Sequence, residues 1–130
     1  MRIYITYCSW QKDDSLRGTG VRVTPDKLYR SPRIQGFIAR CREKRANWAI
    51  FSDFCGVWFP EKTLPWYDLH PDKVTKEEEA KLASAFYDSL KDYGEIHYYP
   101  DTLHPLSKRI VTQSGLENRV SWFTDLNTVE

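Results

Sequence analysis

The sequence predicts an α/β domain in which helices alternate with the parallel strands of one sheet. Three observations support this prediction. Four short segments have the composition of strands, three longer segments carry the apolar spacing of helices, and the two kinds alternate along the chain. Such alternation is typical of right-handed crossovers in a twisted, mostly parallel sheet. We therefore expect a single-domain, three-layer, Rossmann-like sandwich with a four-stranded sheet and about three helices.

The four predicted strands are short. Residues 2–8 alternate β-branched and aromatic side chains and end at Cys8-Ser9. The continuous apolar run at 48–51 has the form expected of a strand that helices cover on both faces. The other two strands are predicted at 96–99 and at 120–123.

Each predicted helix begins at a recognisable signal. The Ser-Pro pair at 31–32 supplies an N-cap and a first-turn proline, and apolar residues follow at i, i+3, i+4 and i+7 from Ile34. A Thr-x-x-Glu capping box at 75–78 precedes the second apolar stripe, which we expect Gly94 to end. A third, shorter helix is predicted over 105–115.

Length and composition limit the class of protein. A chain of 130 residues suits one domain that buries roughly two-thirds of its unfolded surface. No segment approaches the ~20 apolar residues of a membrane helix, and the N-terminus lacks an apolar signal segment. Neither the three cysteines nor the three histidines have the spacing of a metal site. We therefore expect a cytoplasmic protein with reduced thiols, no membrane association, no structural metal and no cofactor.

The net charge of +1 conceals two regions of opposite sign. Residues 17–45 carry nine basic and two acidic side chains, whereas residues 66–101 carry nine acidic and four basic ones. The basic region would attract phosphates, although two solvated helix faces would give the same pattern. The candidate nucleic-acid-binding residues are Arg33, Arg40, Arg42, Lys44 and Arg45. Pairing of the two regions between chains would produce self-association.

The ends of the predicted strands nominate a ligand site. Ligands of open parallel sheets bind outside the carboxyl ends of the strands, near the switch in strand order. The residues that follow the first three strands include Cys8, Ser9 and Lys12, then Ser52, Asp53 and Gly56, then Tyr99, Asp101 and His104. Together they would hold a polar ligand, unless Ser52 and Asp53 only cap their strand. Cys8 is a candidate nucleophile if Lys12 or a helix end lowers its pKa, and otherwise a buried apolar filler.

The loop at 66–68 combines two aromatic rings with a carboxylate. Trp66 and Tyr67 would stack on a nucleobase while Asp68 accepts hydrogen bonds from the edge of the base, although core lining is the alternative role of the rings. If the site is catalytic, Asp53 or Asp68 is the expected general base. A carboxylate held away from water beside aromatic rings has its pKa raised toward neutrality.

Four segments together resemble a family of small, mostly uncharacterised microbial and phage proteins. In that family a first strand ends in Cys with a nearby Lys, Leu-Tyr-x-Ser-Pro opens the first helix, a strand ends near Ser-Ala-Lys-Tyr-Gly, and a Pro-Tyr-Asp segment follows. The matching segments are Tyr-Cys-Ser-Trp-Gln-Lys at 7–12, Leu-Tyr-Arg-Ser-Pro at 28–32, Trp-Ala-Ile-Phe-Ser-Asp-Phe-Cys-Gly at 48–56 and Pro-Trp-Tyr-Asp at 65–68. They cover about the first half of the chain. Asp53 and Phe54 stand where the family has Ala-Lys, and Trp66 is inserted before Tyr67.

The resemblance implies a compact α/β domain, similar to domains associated with modified-base or nucleic-acid metabolism, and it brings no reaction. Together with the strand-end residues, it favours a domain that binds or acts on a nucleoside, nucleotide or base. Two alternatives stay open. One is a non-catalytic nucleic-acid-binding module that uses the basic first helix, and the other is a protein-interaction module.

Overall fold

The computed structural model describes residues 1–69, 71–100 and 105–130. Within these residues the strands are β1 (Arg2–Tyr7), β2 (Arg22–Val23), β3 (Trp48–Ser52), β4 (Gly56–Trp58), β5 (Leu64–Pro65), β6 (Glu95–Tyr99) and β7 (Val120–Trp122). The α-helices are α1 (Pro25–Leu28), α2 (Pro32–Glu43), α3 (Lys76–Leu90) and α4 (Leu106–Ser114). Single 3₁₀ turns lie at Asp14–Leu16, Pro71–Lys73, Glu117–Arg119 and Leu126–Thr128.

The main sheet has five strands in the order β4-β3-β1-β6-β7. Strand β1 is central and parallel to both β3 and β6, and β7 is parallel to β6. Strand β4 returns antiparallel beside β3, and β2 and β5 form a separate antiparallel pair. The chain moves from β1 to β3 on one side and then to β6 on the other, so the strand order switches at β1. The carboxyl end of β1 is therefore where this topology favours a ligand.

The predicted α/β class with a mostly parallel sheet is confirmed, and all four predicted strands and three predicted helices are present. The predicted numbers were too low, because β2, β4, β5 and α1 are each two to four residues long. Segments of that length are too short to show a hydrophobic period. Helix α3 also ends at Leu90 rather than at Gly94.

Local sequence explains where the helices begin and end. The Ser31 hydroxyl accepts a hydrogen bond from the Ile34 amide at 3.3 Å, which caps α2. Thr75 and Glu78 form the predicted capping box of α3, with bonds of 3.1 and 3.2 Å. Gly115 takes a φ of 81° after α4, a conformation that costs glycine little.

Helices cover both faces of the sheet. Phe37 of α2 stacks on Tyr99 of β6, with ring centroids 6.1 Å apart. On the other face, Phe86 of α3 meets Phe51 of β3 edge-on at 5.4 Å, and α4 packs against α3. The buried apolar side chains form one continuous core, which includes β1 from Ile3 onward. Within the described ranges, no helix is long and apolar enough to cross a membrane.

Candidate ligand site at the carboxyl ends of the central strands

The parallel pairing of β1 and β3 brings Cys8 and Asp53 together. The Cys8 amide donates to the Phe51 carbonyl at 2.9 Å, so the two strands end side by side. The Cys8 thiol lies 3.5 Å from Asp53 Oδ1, and the Tyr7 hydroxyl lies 3.4 Å from Asp53 Oδ2. Asp53 is only 5% exposed, and both bonds are long and come from neutral donors. A buried carboxyl group therefore stands at the predicted edge with much of its acceptor capacity unused.

The electrostatics of Asp53 follow from its surroundings. Burial raises its pKa above the ordinary value, because folding removes the ionised form from water. The bonds from Cys8 and Tyr7 and the charge of Lys12 oppose this change and reduce it. The ionised carboxylate is thus disfavoured by the fold but partly stabilised by its neighbours.

Three buried hydroxyl groups connect this edge to two loops. The Ser52 hydroxyl donates to the Tyr67 hydroxyl at 3.1 Å and accepts from the Phe54 amide at 3.1 Å. The Tyr67 hydroxyl also bonds the Tyr29 hydroxyl at 2.5 Å. These contacts fix the turn that carries Asp53 and place the ring of Tyr67 beside it.

Lys12 lies in the same cluster. The residue is 9% exposed, and its Nζ atom lies 4.4 Å from the centroid of the Tyr67 ring. A backbone bridge between Lys12 and Tyr29 holds the segment in place. The structure gives the ammonium no hydrogen bond or ion pair with any residue in the described ranges. Burial lowers the pKa of Lys12, although Cys8 and the carboxylates of Asp53, Asp68 and Asp14 oppose that change.

An exposed aromatic ring borders the cluster. Phe54 is 50% exposed, and its ring stacks on Tyr67 with centroids 4.6 Å apart and planes 11° from parallel. Trp10 follows β1 and is 77% exposed. Large apolar rings in contact with water beside buried charges are typical of sites that bind flat ligands.

No family model, curated protein or solved structure matches this chain.

The other residues predicted for this site have different surroundings. Asp68 is exposed, so the burial that the general-base hypothesis needs is found at Asp53 alone. The half-buried Ser9 accepts from the Gln11 amide at 3.1 Å through its hydroxyl. Gly56 has a φ of 84°, and an added Cβ would come within 3.2 Å of Ala85. Glycine at this position therefore permits the turn and the close packing of α3 against it. Asp101 and His104 lie outside the described residues, and Tyr99 packs on α2.

Cys8 does not have the surroundings of an activated thiol. It is buried, and burial raises its pKa well above the ordinary value. The nearby Asp53 carboxylate acts in the same direction, whereas Lys12 only partly opposes it. A thiol in this state is protonated at neutral pH and behaves as a small buried side chain.

The five predicted phosphate-binding residues are not gathered on one surface. Helix α2 has 12 residues, so its ends are about 18 Å apart. Arg33 lies at the carboxyl end of β1, where its guanidinium donates to Thr6 Oγ1, Tyr7 O and Cys8 O at 2.6, 2.8 and 3.1 Å. The other four residues lie in the second half of α2 or just beyond it, toward the amino ends of the strands.

Two of those four residues already have partners. Arg40 donates to the Leu126 carbonyl at 3.0 Å and to Glu43 at 3.2 Å. Arg42 pairs with Asp26 at 3.2 Å, and Lys44 and Arg45 are exposed.

Sequence reasoning missed several members of the cluster. Tyr7 and Tyr29 were not nominated, because a tyrosine in a buried strand or after a short helix is indistinguishable from core lining. Phe54 comes two residues after the end of β3, and that position was the signal available for it. In the described part of the chain, no group of three or more His, Cys, Asp or Glu side chains is arranged to hold a metal ion.

Proposed function

We propose that the carboxyl ends of β1 and β3 bind a nucleoside, nucleotide or free base, which the protein either holds or modifies. One observation carries this proposal. Lys12 is only 9% exposed, and its ammonium lies over the Tyr67 ring in the same cluster as the buried Asp53, with no hydrogen bond to any described residue. Perturbed charges of opposite sign at the ligand-binding edge of a parallel sheet are typical of functional sites.

The Lys12 ammonium is available to a ligand. It keeps contact with solvent, since it is not among the buried side-chain atoms that lack a hydrogen-bond partner. The Tyr67 ring compensates Lys12 only in part, since a cation over an aromatic face gains about 0.5–2 kcal/mol. A ligand carbonyl or ring nitrogen would supply the acceptor that the chain withholds.

The aromatic rim supports a flat ligand. Phe54 is held parallel to Tyr67 while half of its surface remains in contact with water. Stacking of one base on such a ring is worth about 1–3 kcal/mol. Bases also carry the edge donors and acceptors that Asp53 and Lys12 require.

If the site is catalytic, the surroundings of Asp53 and Lys12 suit acid–base chemistry. Burial raises the pKa of Asp53 and lowers that of Lys12, so each moves toward neutrality. Shifts in these two directions favour proton exchange between a carboxyl group and an amine, which is what a general base requires. Asp53 is therefore our candidate base. The three-layer, Rossmann-like description of the fold and the family resemblance both agree with this placement of the site.

The two alternatives have less support. A nucleic-acid module would use a continuous basic surface, but Arg33 bonds the end of β1, and Arg40 and Arg42 have partners within the chain. The protein-interaction module stays a prediction, because it rests on the two charged regions alone.

A thermal-shift screen against nucleobases, nucleosides and nucleotides tests the proposal. A ligand that binds only the folded state raises Tm, by several degrees at about 100 times its Kd. We expect a response that is lost in Asp53→Asn and retained in Asp88→Asn, an exposed control on α3. The absence of any response, or a response that survives in Asp53→Asn, would overturn the proposal.

A further inference from the structure

Three loops of the candidate site meet at one side chain, that of Tyr67. We propose that Tyr67 is a positioning residue: its ring holds Phe54 and Lys12 in place, and the ligand contacts those two side chains rather than Tyr67. This inference rests on the proposed function and adds to it how the binding groups are held. It differs from the role that the sequence suggested for Tyr67, which was direct stacking on a base.

The ring of Tyr67 is covered. The residue is 5% exposed, whereas Phe54 is 50% exposed. Phe54 stacks on the Tyr67 ring with centroids 4.6 Å apart, and the Lys12 Nζ atom lies 4.4 Å from the same Tyr67 centroid. A base can stack only on a ring face that it can reach from solvent. The accessible aromatic surface of this pair therefore belongs to Phe54, and Tyr67 lies behind it.

The hydroxyl group of Tyr67 fixes the far end of the ring. It bonds the Tyr29 hydroxyl at 2.5 Å and accepts from the Ser52 hydroxyl at 3.1 Å. Both partners are buried; Ser52 ends β3, and Tyr29 is bridged to Lys12 through the backbone. A side chain that is bonded at its tip and packed along its ring is locked in one rotamer. The Tyr67 ring is thus a fixed surface for its two neighbours.

A fixed ring matters because Phe54 and Lys12 come from different loops. Phe54 lies in the turn between β3 and β4, and Lys12 follows β1. Within the described ranges Lys12 has no hydrogen bond, so contact with the Tyr67 ring is what orients its ammonium. Side chains that are ordered before binding lose less entropy when the ligand arrives. For two such side chains this strengthens binding by about tenfold.

Lysine acetylation without ligand tests whether Tyr67 holds Lys12. A cation over a ring face is stabilised enough to change an equilibrium by about tenfold. Lys12 should therefore react with acetic anhydride about tenfold faster in Tyr67→Leu than in the wild type, relative to the exposed Lys91, as measured by mass spectrometry. Tyr67→Phe keeps the ring and should react as the wild type does. Tyr87→Leu, which removes an exposed tyrosine of α3, is the matched control and should leave the Lys12 rate unchanged.

Calorimetric titration tests whether the ligand depends on this arrangement. The probes are adenosine, guanosine, cytidine, uridine and the corresponding free bases. A probe that binds the wild type should bind Tyr67→Leu about tenfold more weakly and Tyr67→Phe within about threefold of the wild type. Phe54→Leu, at a half-exposed position, should weaken binding by about tenfold through lost stacking and leave Lys12 acetylation unchanged.

The outcomes separate this inference from the proposed function. Unchanged acetylation of Lys12 in Tyr67→Leu would overturn the inference and leave the proposed function standing. Equally weak binding to Tyr67→Phe and Tyr67→Leu would also overturn it, because the hydroxyl group would then be a ligand contact. If Tyr67→Leu does not fold, Phe54→Leu decides, since binding as tight as that of the wild type would show that the ligand does not stack on Phe54. Failure of every probe to bind the wild type would remove the proposed function itself, and the inference with it.

Discussion

At the scale of single residues, Asp53 and Lys12 are held where their charges are disfavoured. Asp53 is 5% exposed with two long hydrogen bonds, and Lys12 is 9% exposed with none to a described residue. Proteins retain such groups mainly where activity requires them, because buried charges lower stability. The two residues should therefore be needed for ligand binding and unfavourable for folding.

Asp53→Asn should raise the free energy of unfolding at neutral pH. The folded protein raises the pKa of Asp53, so the folded state binds its proton more tightly than the unfolded state. Stability contributed by this group is therefore greatest at low pH and falls as pH rises through the folded pKa, by about 1.4 kcal/mol for each unit of the shift. Asparagine resembles the protonated form and escapes that loss.

Urea unfolding at neutral pH and near pH 4 measures the effect. The gain from Asp53→Asn should shrink at the lower pH, because protonation of the wild-type carboxyl group increases there and its raised pKa favours the folded state. The exposed Asp88→Asn serves as the control and should change little at either pH. A variant less stable than the wild type at neutral pH would show that the ionised carboxylate supports the fold.

At the scale of elements, helix α2 has a different role at each end. Its first turn carries Arg33, which bonds Thr6 and two carbonyl oxygens at the end of β1. Its last turn is followed by Arg45, whose φ of 54° is the one positive value at a non-glycine residue in the described chain. Basic residues of the helix thus hold the end of β1 at its first turn and interact favourably with the negative end of the helix dipole at its last turn.

Arg33→Ala should destabilise the protein by about 1–3 kcal/mol, because three acceptors at the end of β1 lose their charged donor. Arg42→Ala is the matched control. Its guanidinium is 58% exposed in a single ion pair with the partly buried Asp26, and pairs at the surface contribute about 0–1 kcal/mol. Equal effects of the two substitutions in urea unfolding would contradict the structural role of Arg33.

Arg45→Gly should stabilise the protein by about 1 kcal/mol. The chain turns out of α2 through a left-handed residue, with the Ala46 amide bonded to the Cys41 carbonyl at 2.9 Å. Glycine adopts this conformation without the cost of roughly 1–2 kcal/mol that a Cβ imposes, although its greater freedom when unfolded offsets part of the gain. Thermal unfolding shows whether the variant is more or less stable. A lower Tm would mean that contacts of the Arg45 side chain stabilise the protein by more than its left-handed conformation costs.

At the scale of the whole molecule, hydrophobic periods and caps predicted the order of the main elements. The stripe from Ile34 was readable because it is long enough to repeat, and the run at 48–51 because it is continuously apolar and bounded by polar residues. The three-residue strand β4 was not, since its antiparallel return depends on the turn at Gly56 and on packing against α3. Short edge elements are decided by tertiary contacts rather than by their own sequence.

The candidate site was predictable to a similar extent. Parallel strands end at one edge, so the sequence placed Cys8, Lys12 and Asp53 together before their distances were known. The directions of side chains were not predictable. Arg33 reaches back to β1, and Asp68 remains in water, because these outcomes depend on contacts between elements distant along the chain.

The most direct test of the central claim compares the ligand response of wild type, Lys12→Met and Asp53→Asn in the base and nucleoside screen. Each substitution removes a disfavoured buried charge, so both variants should melt no lower than the wild type and yet lose the ligand-induced rise in Tm. A rise that persists in both variants would place the ligand elsewhere and contradict the assignment of this edge as the binding site.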